Sequence, residues 1–373
     1  MLTELNLYQF KRFKNEPIEL CPLTLLTGIN GMGKSSVVQS LLVLRQSFDR
    51  GELQNNKKLI IEDKDLVNLI SPDDMLCADA DDKKVAITLE DDKESKATWA
   101  VKAEGKINTL PFEYENQVGD IYTSALFADT FQYLDAERIG PRVYYDRLSV
   151  ARPHSPIGYR GEFVASRILD ALNKAEDVKL DKVVLNKSLK KVYDQISFWV
   201  SEIIYPDTKV AIDGSDATKV DIKYSFKDQA TKTFNPMNIG FGFSYALPVI
   251  VAILTAKPGS LLIVENPEAH LHPKGQSHMG ILLALAAESG LQIIVETHSD
   301  HLLNGIRVMA KGIEKYGKIN PSIVKIHFFK REKLDDGTFS NKRTLNILPT
   351  GKLTGWPAGF FDEWEINLRN LIS

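Results

Sequence analysis

Hydrophobic positions change period several times along the chain, and each change predicts an element. Leu2, Leu5 and Leu7 open a strand-like segment that runs into the basic turn Lys11-Arg12-Phe13-Lys14, and a second strand-like run follows at Leu23–Thr27. From Ser35 to Phe48 the residues Val37, Val38, Leu41, Leu42, Leu44 and Phe48 recur at helical spacing. Residues 62–94 are acidic and broken, with a hairpin-like pair at Lys84–Leu89 and Ala97–Ala103, and their charges predict a solvated face. A short strand, Phe131–Leu134, ends in the polar stretch Asp135–Arg142. Two or more helices are predicted over 160–204, then strands at Lys209–Asp213 and Lys219–Phe226. Between 236 and 329 helices and strands alternate: Phe243–Leu254, Ser260–Val264, His278–Ser289, Gln292–Val295, His301–Tyr316 and Ile323–Phe329. Such alternation predicts an α/β fold with a largely parallel sheet.

Composition narrows the class without naming a function. The 373 residues are 43% hydrophobic and 25% charged, a globular balance. Forty-six basic against 49 acidic residues give a net charge of −3, so any nucleic-acid contact needs a local basic patch. Two cysteines, Cys21 and Cys77, make no disulfide framework and point to a reducing compartment. The longest apolar run, Tyr245–Ala256, contains Pro248 and is too short to span a bilayer. The N-terminal segment lacks the apolar centre of a signal peptide, so the expectation is a cytoplasmic protein with no membrane contact.

Gly28-Ile29-Asn30-Gly31-Met32-Gly33-Lys34-Ser35 matches the phosphate-loop pattern G-x-x-x-x-G-K-[ST], with a strand before it and an amphipathic helix after it. Small residues let backbone N–H groups turn toward a phosphate, and the helix N-terminus faces the same charge. Lys34 is placed to reach the β- and γ-phosphates and the Ser35 hydroxyl to ligate Mg²⁺. The alternative is a glycine-rich turn that binds nothing. The apolar strand Leu261–Val264 runs into Glu265-Asn266-Pro267-Glu268. Strand ends of an α/β sheet face the same cleft, so one of these acids is expected to hold Mg²⁺ and another to orient the attacking water. Solvated acids at a strand end are the alternative. A second apolar strand ends in Glu296-Thr297-His298, where His298 reads as a γ-phosphate contact or as a structural histidine. The turn Asn238–Tyr245, with Gly240, Gly242 and Ser244, opens an apolar helix and reads as an anion site or a simple cap. His270 and His272 lack a third ligand at a metal-binding spacing and are expected to shape a turn or a subunit contact.

Taken in order, these segments resemble ABC/SMC-type AAA family ATPases, in the branch of RecF-like and OLD-like proteins. Trp356–Glu363 resembles the tail of one subgroup of that branch. The resemblance implies an ABC-type P-loop NTPase head with a mixed, largely parallel sheet and a helical lobe between the Walker A loop and the signature. It implies four segments: 1–142 with Walker A, a helical/β insertion at 143–235, signature, Walker B and switch histidine at 236–345, and a tail at 346–373. By position, Gly28, Asn30, Gly31, Gly33, Lys34, Ser35 and Ser36 would be the Walker A loop and Glu265 the Walker B acid, binding metal with Ser35. Gly240, Gly242 and Ser244 would cap ATP on the opposite subunit, and His298 would be the switch histidine. Asn266 stands where a catalytic glutamate is usual; Glu268 is the candidate replacement, with slow turnover the consequence if it cannot serve. Met32 replaces a smaller residue in the loop. The Q-loop glutamine has only Gln132 as a candidate, with Arg138 and Arg142 as other candidate contacts to nucleotide or partner.

The implied protein dimerises around ATP and Mg²⁺ and controls a separate effector such as a nuclease in bacterial antiviral defence. The interval Arg142–Asn238 sustains no heptad pattern, which excludes the long arms of true SMC proteins. The segment after His298 is expected to be too short for a nuclease domain, and Asp335-Asp336 reads as a hairpin tip. Two other functions are open. A RecF-like DNA-repair module would need Lys182, Lys187, Lys190 and Lys191, or Arg307, Lys311, Lys315 and Lys318, as its DNA surface. A nucleotide-sensing scaffold would follow from Asn266. Trp356–Phe361 is expected to staple a C-terminal helix to the core, with an interaction site as the alternative.

Overall fold

The structure is a computed structural model that describes every residue except 65, 106–107, 149–154, 230–231, 334–338 and 373, with backbone alone at 331–333, 339–341 and 363–365. The expected hairpin tip at Asp335-Asp336 lies outside the described residues. Strands β1 (Leu2–Phe10), β2 (Phe13–Glu19) and β3 (Leu23–Gly28) lead to helix α1 (Lys34–Asp49). Next come β4 (Lys58–Ile60), β5 (Lys84–Asp91), β6 (Lys96–Lys102), β7 (Thr109–Val118), β8 (Phe131–Leu134) and β9 (Tyr145–Asp146). The middle holds α2 (Val164–Asn173), α3 (Val192–Ile203), β10 (Thr208–Asp213), β11 (Lys219–Phe226) and β12 (Thr233–Phe234). The chain continues with α4 (Phe241–Leu254), β13 (Leu261–Glu265), α5 (Pro273–Glu288), β14 (Gln292–Glu296) and α6 (Asp300–Lys311), then β15 (Val324–Lys333), β16 (Phe339–Asn346) and α7 (Glu363–Ile372).

The central sheet runs β16-β15-β3-β14-β13-β8, parallel throughout except for β16. Strands β3, β8, β13 and β14 are buried on both faces, which is why they read as continuous apolar runs. Alternate side chains enter two different cores. Leu23 and Leu25 of β3, Leu262 and Val264 of β13 and Ile293 and Val295 of β14 join the core built by α2–α6. Leu26, Leu261, Ile263 and Ile294 point the other way, into a core shared with α1 and a second sheet. That second sheet is antiparallel, in the order β2-β1-β5-β6-β7-β4, and pairs β1 with β5 across the phosphate-loop segment. A small sheet of β9–β12 packs with α2 and α3.

Several expected boundaries move for identifiable reasons. The stretch 160–204 is not continuously helical: α2 stops where Ala175 takes φ +45°, and α3 begins only at Val192. Leu180 and Val183 between them anchor an irregular segment in the core. Helix α5 starts at Pro273, earlier than apolar periodicity indicated, because His272 caps it and proline suits the first turn. Helix α6 stops at Lys311, short of Tyr316, with Gly312 at φ +95° after it. The acidic stretch at 62–94 is partly core: Val85, Ile87 and Leu89 are buried, while the aspartates around them stay largely outside. No helix among the described residues is long and apolar enough to cross a membrane.

Candidate functional site

The loop after β3 has a shape that glycine makes possible. Gly28 has φ +126°, and a Cβ there would stand 2.2 Å from the Phe329 carbonyl oxygen of the neighbouring strand. Gly33 has φ +117°, and a Cβ there would stand 2.5 Å from the Phe13 ring. The chain can therefore wrap tightly and enter α1 at Lys34 without a side-chain cap, leaving first-turn amides for an anion. Lys34 is buried and its Nζ donates to the Gly28 and Ile29 carbonyls, both at 3.0 Å. Burial pushes its pKa down, opposed by the charge of Glu296. A cleft of about 380 Å³ lies over the loop, walled by Gly31, Gly33–Ser36 and the basic turn Lys11-Arg12.

Two strands deliver carboxylates to this edge of the sheet. Glu265 ends β13 and Glu296 ends β14, and the two are register partners. Glu296 meets the loop: the Ser35 hydroxyl lies 3.2 Å from its Oε1 and 3.1 Å from its Oε2. Glu265 accepts a hydrogen bond from the Tyr133 hydroxyl at 2.8 Å. Burial, and next the Glu296 charge, push the Glu265 carboxyl up to about 7. Burial also raises Glu296, against the pull of Lys34 and Ser35.

Beyond Glu265 the backbone turns sharply. Asn266 sits at φ +45° and donates its N–H to the Glu296 carbonyl at 2.8 Å. The buried Arg138 guanidinium donates to the carbonyls of Glu265 and Asn266. Glu268, 8% exposed, accepts the His298 backbone N–H at 2.8 Å on Oε1, while Oε2 has no hydrogen-bond partner. Burial raises its pKa. The His298 ring is exposed, and desolvation followed by the Lys34 charge lowers its pKa.

The fold thus brings Gly28–Ser36, Glu265, Glu268 and His298 to one edge, as the sequence order led us to expect, but distributes contacts differently. Glu296 reaches Ser35, and Glu265 stands one strand farther out. Gln132 does not serve as a cleft residue: it is buried in β8 and donates to the Tyr133 and Gly158 carbonyls, whereas Tyr133 reaches Glu265. Arg138 is 2% exposed and directs its donors to backbone, while Arg142 is exposed. In the glycine-rich turn, Gly240 precedes α4 and is open, but Ser244 is 5% exposed and lies against Tyr145. Its hydroxyl faces inward, so the outward surface of the turn is Gly240 with exposed Met237 and Phe241.

His272 Nδ1 accepts the Lys274 N–H and caps α5, and the His270 ring packs 4.4 Å from that of Tyr245. No group of three or more His, Cys, Asp or Glu side chains able to hold a metal ion occurs among the described residues. The donors beside the loop instead suit Mg²⁺, which uses one or two carboxylates with nucleotide phosphates. Of the candidate DNA contacts, Lys191 pairs with Asp177, Lys315 with Glu202, and Arg307 lies over Trp356.

Sequence reasoning missed Glu296, Tyr133 and the tail at this edge. Glu296 carried the same signal as Glu265, an acid closing an apolar strand. The tail borders a cleft of about 360 Å³ where Gly359–Asp362 face Thr27–Ile29 and His298. Phe360 is fully buried against Phe328 and anchors the tail at that point, while Trp356 is 47% exposed and the described side chains of α7 lie exposed beyond it.

Residues 101–304 match the family described as "AAA domain, putative AbiEii toxin, Type IV TA system". Residues 308–371 match "Protein of unknown function (DUF3696)". A search of curated proteins returned no match. Among solved structures, an SMC head bound to the C-winged helix domain of ScpA is similar over 93% of this chain and 98% of that one, at 13% identity and TM-score 0.53. The Pyrococcus furiosus Smc head with an extended coiled coil, bound to the C-terminal domain of ScpA, is similar over 100% of this chain and 99% of that one, at 11% identity and TM-score 0.51. At these identities the likeness establishes the fold alone, that of an SMC head.

Proposed function

The chain belongs to the AAA-domain family that its residues 101–304 match, and from that premise we propose that it binds ATP with Mg²⁺, dimerises around the nucleotide and hydrolyses it to control a separate effector. The observation that carries this reading is the phosphate loop joined by hydrogen bonds to an acidic strand end. Gly28, Asn30, Gly31, Gly33 and Ser36 shape the cradle, and Lys34 exchanges its two carbonyl contacts for phosphate oxygens. When bound, Mg²⁺ neutralises the charge between phosphates. Ser35 and a carboxylate at the strand ends would hold it.

Glu268 acts as the base: one oxygen is tied to the His298 backbone and the other, buried without a hydrogen-bond partner, accepts a proton from water. The exposed His298 ring contacts the γ-phosphate. Gly240 of a second copy offers the open helix N-terminus to the same nucleotide; Gly242 and Ser244, both buried, are left out of that contact. With Asn266 in the place of a carboxylate, turnover depends on Glu268; were Glu268 unable to serve, turnover would be slow and the protein more switch than motor. The family's description, which names a putative toxin of a type IV TA system, supports a setting in bacterial antiviral defence, with the effector probed first as a nuclease.

The test measures ATP hydrolysis and solution mass, with and without ATP, for the wild type, Lys34→Ala and Glu268→Gln. Wild type should become dimeric with ATP and turn over. Glu268→Gln should stay dimeric without turnover, and Lys34→Ala should do neither. Wild-type rates in Glu268→Gln would remove the base assignment, and normal ATP binding by Lys34→Ala would remove the phosphate-loop reading.

A further inference from the structure

Two carboxylates end adjacent strands beside the phosphate loop, and the geometry separates their tasks. We propose that Glu296, and not the Walker B-positioned Glu265, is the carboxylate that positions the divalent cation accompanying a bound nucleoside triphosphate. The inference rests on the reading of Gly28–Ser36 as a triphosphate site and assigns the cation within it. Both Glu296 oxygens lie within hydrogen-bond distance of the Ser35 hydroxyl, at 3.1 and 3.2 Å. Ser35 is the side chain that a phosphate loop turns toward the metal, so its direct carboxylate partner stands in the metal's coordination or hydration sphere.

Glu265 is committed elsewhere. Its Oε1 accepts the Tyr133 hydroxyl at 2.8 Å, and its backbone carbonyl is held by Arg138. Strand order explains the difference: β14 lies between β3 and β13, so the acid closing β14 is one strand nearer the loop. A second, independent observation points to a ligand at this edge. Glu268 is 8% exposed, feels Glu296 electrostatically, and has an Oε2 with no hydrogen-bond partner. A buried carboxylate oxygen of this kind needs a donor, and cation-bound water supplies one. Glu296 therefore orients the cation through Ser35, Glu268 faces its hydration water, and Glu265 buttresses the strand end.

The experiment uses the full chain, with Mn²⁺ as the cation probe, and measures Mn²⁺ affinity by electron paramagnetic resonance in the presence of a non-hydrolysable ATP analogue. Binding of the analogue in chelator is measured alongside. Glu296→Gln and Ser35→Ala should each weaken Mn²⁺ about 10–100-fold while binding of metal-free analogue persists. Glu265→Gln should leave Mn²⁺ within about twofold of wild type, well short of the outer-shell effect. If Glu296→Gln misfolds by circular dichroism, Glu296→Asp decides: a retracted carboxylate should still weaken Mn²⁺ selectively. Loss with Glu265→Gln alone, or equal loss with both variants, overturns the assignment. Failure of wild type to bind the analogue at all overturns the triphosphate reading and this assignment with it. Binding of the analogue with unaltered Mn²⁺ affinity in Glu296→Gln overturns the assignment alone.

Discussion

Arg138 supports the acidic edge without being available to a ligand, and replacing it with methionine isolates that support. Its guanidinium is 2% exposed and donates to the carbonyls of Glu265 and Asn266, the latter at 3.1 Å. Burial pushes its pKa down to about 10, opposed first by Glu268, then by Asp135 and Glu265, so it remains cationic at neutral pH. Methionine fills similar volume but removes both donors and a positive charge that offsets these acids. Hydrogen bonds from a charged donor contribute about 1.5–3 kcal/mol each, and leaving buried partners uncompensated costs about 3–5 kcal/mol in total. The Nε of Arg138 has no partner, which keeps the expected loss near the middle of that range, about 4 kcal/mol. For a chain of this length that corresponds to a drop in melting temperature of about 5 °C. Denaturant titration should show a lower midpoint at unchanged slope. Arg138→Lys retains charge without the two-pronged geometry and should recover only part of the loss. A midpoint for Arg138→Met within about 1 kcal/mol of wild type would refute the argument, because no truncated buried ion with unreplaced partners is that cheap.

Three further outcomes follow from particular contacts. Glu265 holds its proton in the native state up to about pH 7 against 4.5 for the ordinary group, so its contribution to stability is complete below about 4.5 and is lost as pH rises through 7. Unfolding free energies across that window should show Glu265→Gln gaining on wild type by about 3 kcal/mol; parallel curves would contradict this. A Cβ at Gly305 would stand 2.0 Å from the Ser277 carbonyl oxygen, so Gly305→Ala must part α5 from α6. Overpacking against backbone outweighs the better helix propensity of alanine, and a net loss of about 2 kcal/mol should appear by denaturation; a stabilised variant would show that the helices yield freely. Phe360→Ala removes a fully buried ring from the Phe328, Trp356 and Phe361 contacts, at about 3 kcal/mol. Limited proteolysis should then cut near α7 before the rest of the chain unfolds, and unchanged resistance there would remove the stapling role.

Much of this protein is legible in local order alone. The spacing of glycines before Lys34-Ser35, the apolar run of β13 closing on Glu265 and the period of α1 are short-range patterns, and steric and hydrophobic rules act on them without reference to distant residues. The same rules fail where a second partner decides. Apolar periodicity says that β1 and β5 are strands, but only the tertiary structure pairs them across the intervening α1. Alternation marks Gln132 and Tyr133 as opposite faces of β8 without saying which faces the acids; the neighbouring β13 assigns Tyr133 to Glu265 and leaves Gln132 to backbone carbonyls. Ser244 reads as an exposed donor in a glycine-rich turn until α4 packs and turns its hydroxyl toward Tyr145.

Glu265 and Glu296 make the division plain. Each is an acid at the end of an apolar strand, and linear order favours the one that precedes Asn266-Pro267. Sequence by itself determined the phosphate loop, the class of the fold and the acids at the strand ends, because backbone conformation and hydrophobic period are local. Which acid meets Ser35 was decided by strand order, since hydrogen bonds act over about 3 Å and only the folded sheet sets which strand lies next to β3.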